Sequence, residues 1–492
     1  MSEELSKIEL DRQLITSARA QGTLAKLLAY TRLSGPGWLQ SAITLGGGSL
    51  AGSLYLGSVG GYEMMWLQPL MMIFGVVMLS SIGYVALSTR KSPFQQMNQH
   101  VNPVLGWGWA IATLMANLVW AMPQFSLGTA AMQQNLDILP DTPTGQWMAV
   151  GILFVIFSAV VWFYDSGGWG IKLFEMLLKA MVSVVVVSFF LVVGALTFSE
   201  EGLAWGEILS GYVPKPGLLF EPAESLAPLI EQSSDPKYWS NVVVDAQRDI
   251  MVAAAATAVG INMTFLLPFS MLKRGWDRDF RGLAAFELST GLFVPFLLPT
   301  SCVVIAAGSR FHGTVEPGLL DPANAKIQSK EQIEKLRGGY NADLDDMLTQ
   351  LEKTAADGAA EARHAARGAL NATPPAPLRE YNRTMDLEKL QQIADAIIAD
   401  EDLPDNDADA QQAARDALKL EDKKLAATLV KRDADALANS LEELAGKGIS
   451  QYVFGIGVVG MAISTIIILM LINGFTICEM FGQPSRGWLH RF

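Results

Sequence analysis

Residues 35–62 read GPGWLQSAITLGGGSLAGSLYLGSVGGY. The run is mostly apolar and long enough to cross a bilayer, which takes ~20 residues of helix. Gly46-Gly47-Gly48-Ser49 stands in its middle, where glycine weakens a helix. A second apolar run, 250–272, carries Gly260-Ile261-Asn262-Met263-Thr264, with Pro268 four residues on. These are the first and sixth apolar runs of the chain. In a carrier built from two inverted five-helix repeats those positions correspond, and paired interruptions point to a midplane binding site. Unwound backbone there exposes carbonyls, and half-helix C-termini carry the negative dipole ends that suit a cation. Gly48, Gly52 and Gly57 also fit plain small-residue helix packing. The match between the two runs is what favours a site.

Six further runs fit the same description. The full series is 35–59, 64–87, 104–132, 146–163, 171–198, 250–272, 283–307 and 449–475. They are too long and too unalternating for membrane strands, so the fold class is an all-α polytopic membrane protein. Arg12, Arg19, Lys26 and Arg32 precede the first run, Arg90 and Lys91 follow the second, and Lys273, Arg274, Arg278 and Arg281 separate the sixth from the seventh. Arg486 and Arg491 follow the eighth. All lie on one side in an eight-span count, which makes that side cytoplasmic. Asp137, Asp141, Glu200, Glu201, Glu207, Glu221, Glu224 and Glu231 fall on the other side. The expected location is a cell (inner) membrane, multi-pass, with a cytoplasmic N-terminus and lipid as surroundings.

The charge is unevenly spread. Of 36 Lys+Arg and 49 Asp+Glu in 492 residues, 17 basic and 27 acidic side chains lie between Gly313 and Lys447. That gives four divisions: a cytoplasmic segment 1–34, spans one to seven over 35–312, an acidic, Ala-rich, α-rich extracytoplasmic insertion 313–447, and span eight with a cytoplasmic end over 448–492. Helical stretches are expected at 385–399 and 418–444, broken by Pro374, Pro375 and Pro377. The insertion reads as a solvated cap, or else as an acidic funnel or docking arm for a partner of unknown kind. Residues 400–407 have a calcium-like composition but lack the glycine and closing glutamate of an EF-hand loop. Cys302 and Cys478 sit in apolar runs as inert thiols, while His100, His312, His364 and His490 lie outside those runs and can build no intramembrane metal centre. The N-terminus is polar through Gln21, so no cleavable signal is expected. A sequence pI near 4.9 argues against nucleic acid as a partner. With no His pair, nucleophile elbow or clustered acids in the spans, an enzyme is not supported, and no cofactor is expected.

The stretch from Gly35-Pro36-Gly37-Trp38 to Gly60-Gly61-Tyr62 resembles the first span of the Nramp divalent-metal transporters. Similar matches run through 172–179, the Gly211-Tyr212-Val213-Pro214 turn, 306–312 and Trp488-Leu489. The resemblance implies the LeuT-type inverted-repeat fold. The family's Asp-Pro-Gly-Asn signature falls on Gly46, Gly47, Gly48 and Ser49, and its Met-Pro-His signature on Asn262, Met263 and Thr264, with its second His position at Phe269. Acidic residues associated with proton movement in span three are replaced by Asn117, Met122 and Phe125. Carboxylate, soft sulfur and proton relay are all expected to be absent, a pattern similar to the Nramp-related magnesium transporters. Hydroxyl, amide and carbonyl oxygens favour hard ions, and Mg²⁺ keeps several waters. The implied metal ligands are Gly46, Ser49, Asn262, Val259 and Thr264. The implied function is passage of hydrated Mg²⁺, with Mn²⁺ second, by alternating access without proton coupling.

Ionisable groups within membrane spans are functional candidates by default. Glu175 and Lys179, spaced i, i+4, read as a structural ion pair. Glu287 reads as an anchor or gating partner, and Asp245, Arg248 and Asp249 as the solvated start of span six or an outer gate. Asn117 and Asn473 read as interhelical hydrogen-bonding glue rather than ligands. Two alternatives stay open: an organic-solute carrier gripping a carboxylate with glycine N–H groups, and a receptor or adaptor using the insertion. A five-plus-five core needs ten spans, so the core is expected to be C-terminally incomplete.

Overall fold

A computed structural model describes residues 2–33, 36–164, 168–200, 202–320, 333–334, 336–351, 353–354 and 408–483. Among these residues every regular element is helical. Seven helices or helix chains are long and apolar enough to cross a membrane: Leu67–Thr89, Pro103–Asn135, Pro143–Trp162, Lys179–Thr197, Pro236–Lys273, Arg278–Phe311 and Ala445–Met480. The first expected span is present as two half-helices, 1a (Pro36–Thr44) and 1b (Gly47–Gly60), neither of which reaches across alone. Span 6 is likewise split into 6a (Pro236–Ala258) and 6b (Ile261–Lys273). Helix 6a begins well before the apolar run at 250, so Asp245, Arg248 and Asp249 lie within it, on an exposed i, i+3, i+4 face.

Tertiary packing divides the chain into two compact units. One holds Met1–Pro216, Arg248–His312 and Arg432–Phe492; the other holds Gly217–Gln247 and Gly313–Lys431. In the first unit, span 3 (Pro103–Ala130) and span 8 (Phe454–Met480) run antiparallel along a shared seam. Asn117 Nδ2 donates to Asn473 Oδ1 at 2.7 Å, a Cβ on Gly128 would lie 3.2 Å from that of Ala462, and one on Gly455 would lie 2.8 Å from that of Asn135. The partners advance by eleven and then seven residues along one helix and retreat by the same steps along the other. Those steps are whole helical turns, so small or polar residues recur on one face of span 3. Half-helix 1b packs closely on Phe293–Phe311 of span 7, where Gly57 lies against the Val304 carbonyl and Ala307. Small-residue packing therefore accounts for Gly57, whereas Gly48 faces the Trp120 ring and Gly52 has open space.

Two helical turns with π spacing, Ala131–Asn135 and Gly448–Val453, end span 3 and begin span 8. Helix Ala434–Lys447 packs over both, and four side chains close a buried ring. Asn135 Nδ2 donates to Asp435 Oδ1 (3.3 Å) and Gln451 Oε1 (3.0 Å), Asn439 Nδ2 donates to Asp435 Oδ2 (3.1 Å), and Gln451 Nε2 donates to Asn439 Oδ1 (2.7 Å). Between spans 6 and 7, Asp277 receives Arg12 of the first helix (Ser2–Gln21) at 2.8 Å and also Arg90. Burial works to raise this carboxyl, but the Asp279 N–H, Arg90 and Arg12 outweigh it and hold it below the usual range.

In the second unit, Asp422 is fully buried and accepts from Ser234 N (2.9 Å), Ser234 Oγ (2.5 Å) and Trp239 Nε1 (2.8 Å). Arg415 grips Asp345 with two bonds of 2.7 and 2.6 Å. The expected helix over 418–444 is two helices, Leu420–Leu429 and Ala434–Lys447, because Asp433 caps the second by accepting from Ala436 N. The stretches expected at 385–399 and 400–407, and Pro374, Pro375 and Pro377, lie outside the described residues.

Candidate functional site

The two helix breaks meet. Half-helix 1a packs on 6b, and Thr44 Oγ1, at the last residue of 1a, donates to the Gln40 carbonyl at 2.8 Å and lies in contact with Met263 Sδ at 3.4 Å. Gly46 has extended backbone (φ −127, ψ −177) and caps 1b, while Gly260 (φ −77, ψ 158) caps 6b. Both positions need glycine for reasons of space. A Cβ on Gly46 would lie 2.7 Å from Thr465 Oγ1, and one on Gly260 would lie 2.5 Å from Asn262 Oδ1.

The sequence-derived ligands are turned inward on their own backbone. Ser49 Oγ accepts from Gly46 N (3.1 Å) and donates to Gly46 O (2.8 Å). The Gly46 carbonyl also accepts from Leu50 N at 3.0 Å. Asn262 Oδ1 accepts from Met263 N at 2.8 Å, and Thr264 Oγ1 donates to the Ile261 carbonyl. Val259, between 6a and 6b, directs its side chain against Gly75 of span 2. Gly46 and Ser49 therefore sit together at one break, Val259, Asn262 and Thr264 at the other, with the Thr44–Met263 contact as the bridge.

Three residues at the junction had no assigned role in the sequence reading. Thr465 of span 8 stands with its Oγ1 3.3 Å from the carbonyls of both Ala42 and Leu45. Gln124 of span 3 is fully buried and accepts from Gly47 N at 2.8 Å through Oε1, while its Nε2 has no hydrogen-bond partner. A buried donor left unsatisfied costs ~1–3 kcal/mol. Met263 is the third: a thioether does stand at the paired breaks, one position beyond the Asn262 site where the resemblance placed it. One signal for Gln124 was available, because Thr113, Asn117, Gln124 and Gly128 recur on the face of span 3 that packs on span 8.

The remaining candidates lie elsewhere. Phe269 stacks on Phe475 at 4.2 Å, and Phe125 packs edge-on against Phe157. Met122 is exposed. Asn117 and Asn473 bond to one another across the seam, as expected. Glu287 is buried at the joint between Arg281–Glu287 and the π-spaced turn Leu288–Leu292. Lys179 lies in span 5 (Gly168–Thr197) with Glu175, whose side chain is outside the described residues. Among the described residues, no group of three or more His, Cys, Asp or Glu could hold a metal ion.

Seven helices able to cross a membrane and two breaks that meet, with neutral oxygens gathered at them, define a helical polytopic membrane protein. Residues 37–359 match the natural resistance-associated macrophage protein-like (Nramp) family, and the chain belongs to that family of metal transporters. Among curated relatives, the metal transporter Nramp2 of Oryza sativa subsp. japonica is 24% identical over 188 residues, covering 37% of this chain and 32% of that protein. The manganese transporter pdt1 of Schizosaccharomyces pombe is 22% identical over 290 residues, covering 58% and 53%. The chain thus spans about a third and about half of these two relatives' lengths. A solved manganese transporter of Eremococcus coleocola, bound to an aromatic bis-isothiourea compound, aligns over 95% of this chain and 74% of its own at 13% identity, with a TM-score of 0.46.

Proposed function

We propose that this chain carries Mg²⁺, with Mn²⁺ as a second substrate, across a membrane by alternating access on a LeuT-type inverted repeat and without proton coupling. The observation that supports it most is the pair of breaks bridged by Thr44 and Met263, lined by amide, hydroxyl and carbonyl groups. Neutral hard oxygens suit an ion that keeps part of its water. The carboxylate-grip alternative loses support, because the Gly46 and Gly47 N–H groups it requires are already bonded to Ser49 and Gln124.

Two features favour Mn²⁺ as a substrate alongside Mg²⁺. The Met263 sulfur at the bridge is a softer donor, and one relative is named a manganese transporter. The absence of coupling is inferred from span 3, where Asn117 pairs with Asn473 and Phe125 with Phe157 in place of titratable groups. Uptake of Mg²⁺ and Mn²⁺ into proteoliposomes, with and without an imposed pH difference, tests the reading. Saturable uptake of both ions, indifferent to the gradient, is expected. Absent flux, or flux that needs the gradient, contradicts it.

A further inference from the structure

Two buried amides of this region have incomplete bonding among the described residues: Gln40 of half-helix 1a, four residues before its end, and Gln124, which reaches the break itself. Gln124 Oε1 is held by the Gly47 N–H, the first peptide group of 1b, which fixes the amide plane and leaves Nε2 on the side of the glycines. A Cβ placed on Gly46 would lie 3.4 Å from that Nε2, and one on Gly47 would lie 3.3 Å from it. Gly46 N and O are matched with Ser49, and the Thr465 hydroxyl stands 3.3 Å from both the Ala42 and the Leu45 carbonyl, with one proton to share between them. Gln124 Nε2 is fully buried and donates to nothing.

An amide NH₂ is a donor only, so it cannot ligate a cation. What it can engage is an oxygen with a lone pair to spare. A water of the ion's shell fits, since one lone pair can take the N–H while the other faces the metal. We infer that Gln124 is a positioning residue that holds a hydration water of the divalent cation at the span 1 break. This inference rests on the divalent-cation reading above. It implies that Gln124 acts on the ion through water, and so weighs most on the ion that parts with water least readily. Mg²⁺ dehydrates reluctantly, and Mn²⁺ should lean on this residue less.

The two ions therefore supply a readout that loss of packing would not move, namely the ratio of Mg²⁺ to Mn²⁺ uptake. Gln124→Glu keeps an acceptor for Gly47 N–H and removes the donor; Gln124→Leu removes both. Full-length wild type and both variants are reconstituted, and initial uptake of each ion is measured over a concentration series. The Mg²⁺/Mn²⁺ ratio of kcat/KM is expected to fall ~10-fold or more in each variant, within the range seen when groups one step removed from a metal are lost. If Gln124→Leu does not fold, Gln124→Glu carries the comparison alone. Wild type that moves both ions, with variants whose ratio stays within about twofold of it, overturns the role of Gln124 and leaves the divalent reading standing. Wild type that moves neither ion removes that reading, and this inference with it.

Discussion

Gly46 and Gly260 carry the sharpest demands in the molecule, because a single methyl group at either meets a polar atom that the break depends on. Gly46→Ala must displace Thr465, and Gly260→Ala must displace the Asn262 amide. Each should lose ~1–3 kcal/mol, the usual cost of overpacking, read as a lower melting midpoint in detergent. Asn262→Ala instead removes the side-chain acceptor of the Met263 N–H and should cost about 1 kcal/mol in stability while reducing Mg²⁺ flux ~10-fold or more. The titratable groups outside the spans make a further prediction. Burial, then the neighbouring Asp346, push the Asp343 carboxyl up to about 6. A folded-state value above the unfolded one means protonation favours the fold. This contribution is full below ~4, the unfolded value for Asp, and is lost as pH rises through about 6. Asp343→Asn should therefore stabilise its unit by ~1–3 kcal/mol at pH 7 and remove the stability gained between about pH 6 and 4. Denaturation midpoints at the two pH values check it.

At the scale of elements, the ring of Asn135, Asp435, Asn439 and Gln451 ties one short helix to the π-spaced ends of two spans. Removing one member leaves several buried groups unpaired. Asp435→Ala should cost ~1–3 kcal/mol, with amide exchange rising first in 434–447, whereas a change at an exposed position such as Glu231 should stay within ~0.5 kcal/mol. The half-helices were legible in the residues because Gly46-Gly47-Gly48 and Gly260 are strong local interruptions inside long apolar runs. The ring was not. Each of its members is an ordinary polar residue in its own neighbourhood, and pairings 300 and 316 residues apart are set by packing rather than by local pattern. Gln124 lies between these cases: its face on span 3 follows helical spacing, but its bond to Gly47 depends on where span 1 breaks.

For the whole molecule, the uneven charge located the membrane unit, since long spans need little beyond apolar length to announce themselves. Basic residues read only as an orientation signal turn out to have structural work as well, Arg12 and Arg90 both meeting Asp277. The limits of the packed units were less legible. Residues 217–247 group with 313–431, while 432–447 group with the spans, because amphipathic helices of similar composition can pack on either unit. The central claim concerns the paired breaks as a neutral cation site, and ion uptake by the reconstituted full chain tests it most directly. With equal pH on both sides, wild type should take up Mg²⁺ and Mn²⁺ saturably, an imposed proton gradient should leave the rates unchanged, and Asn262→Ala should lower them. No uptake of either ion, or uptake only when a proton gradient drives it, would contradict the account.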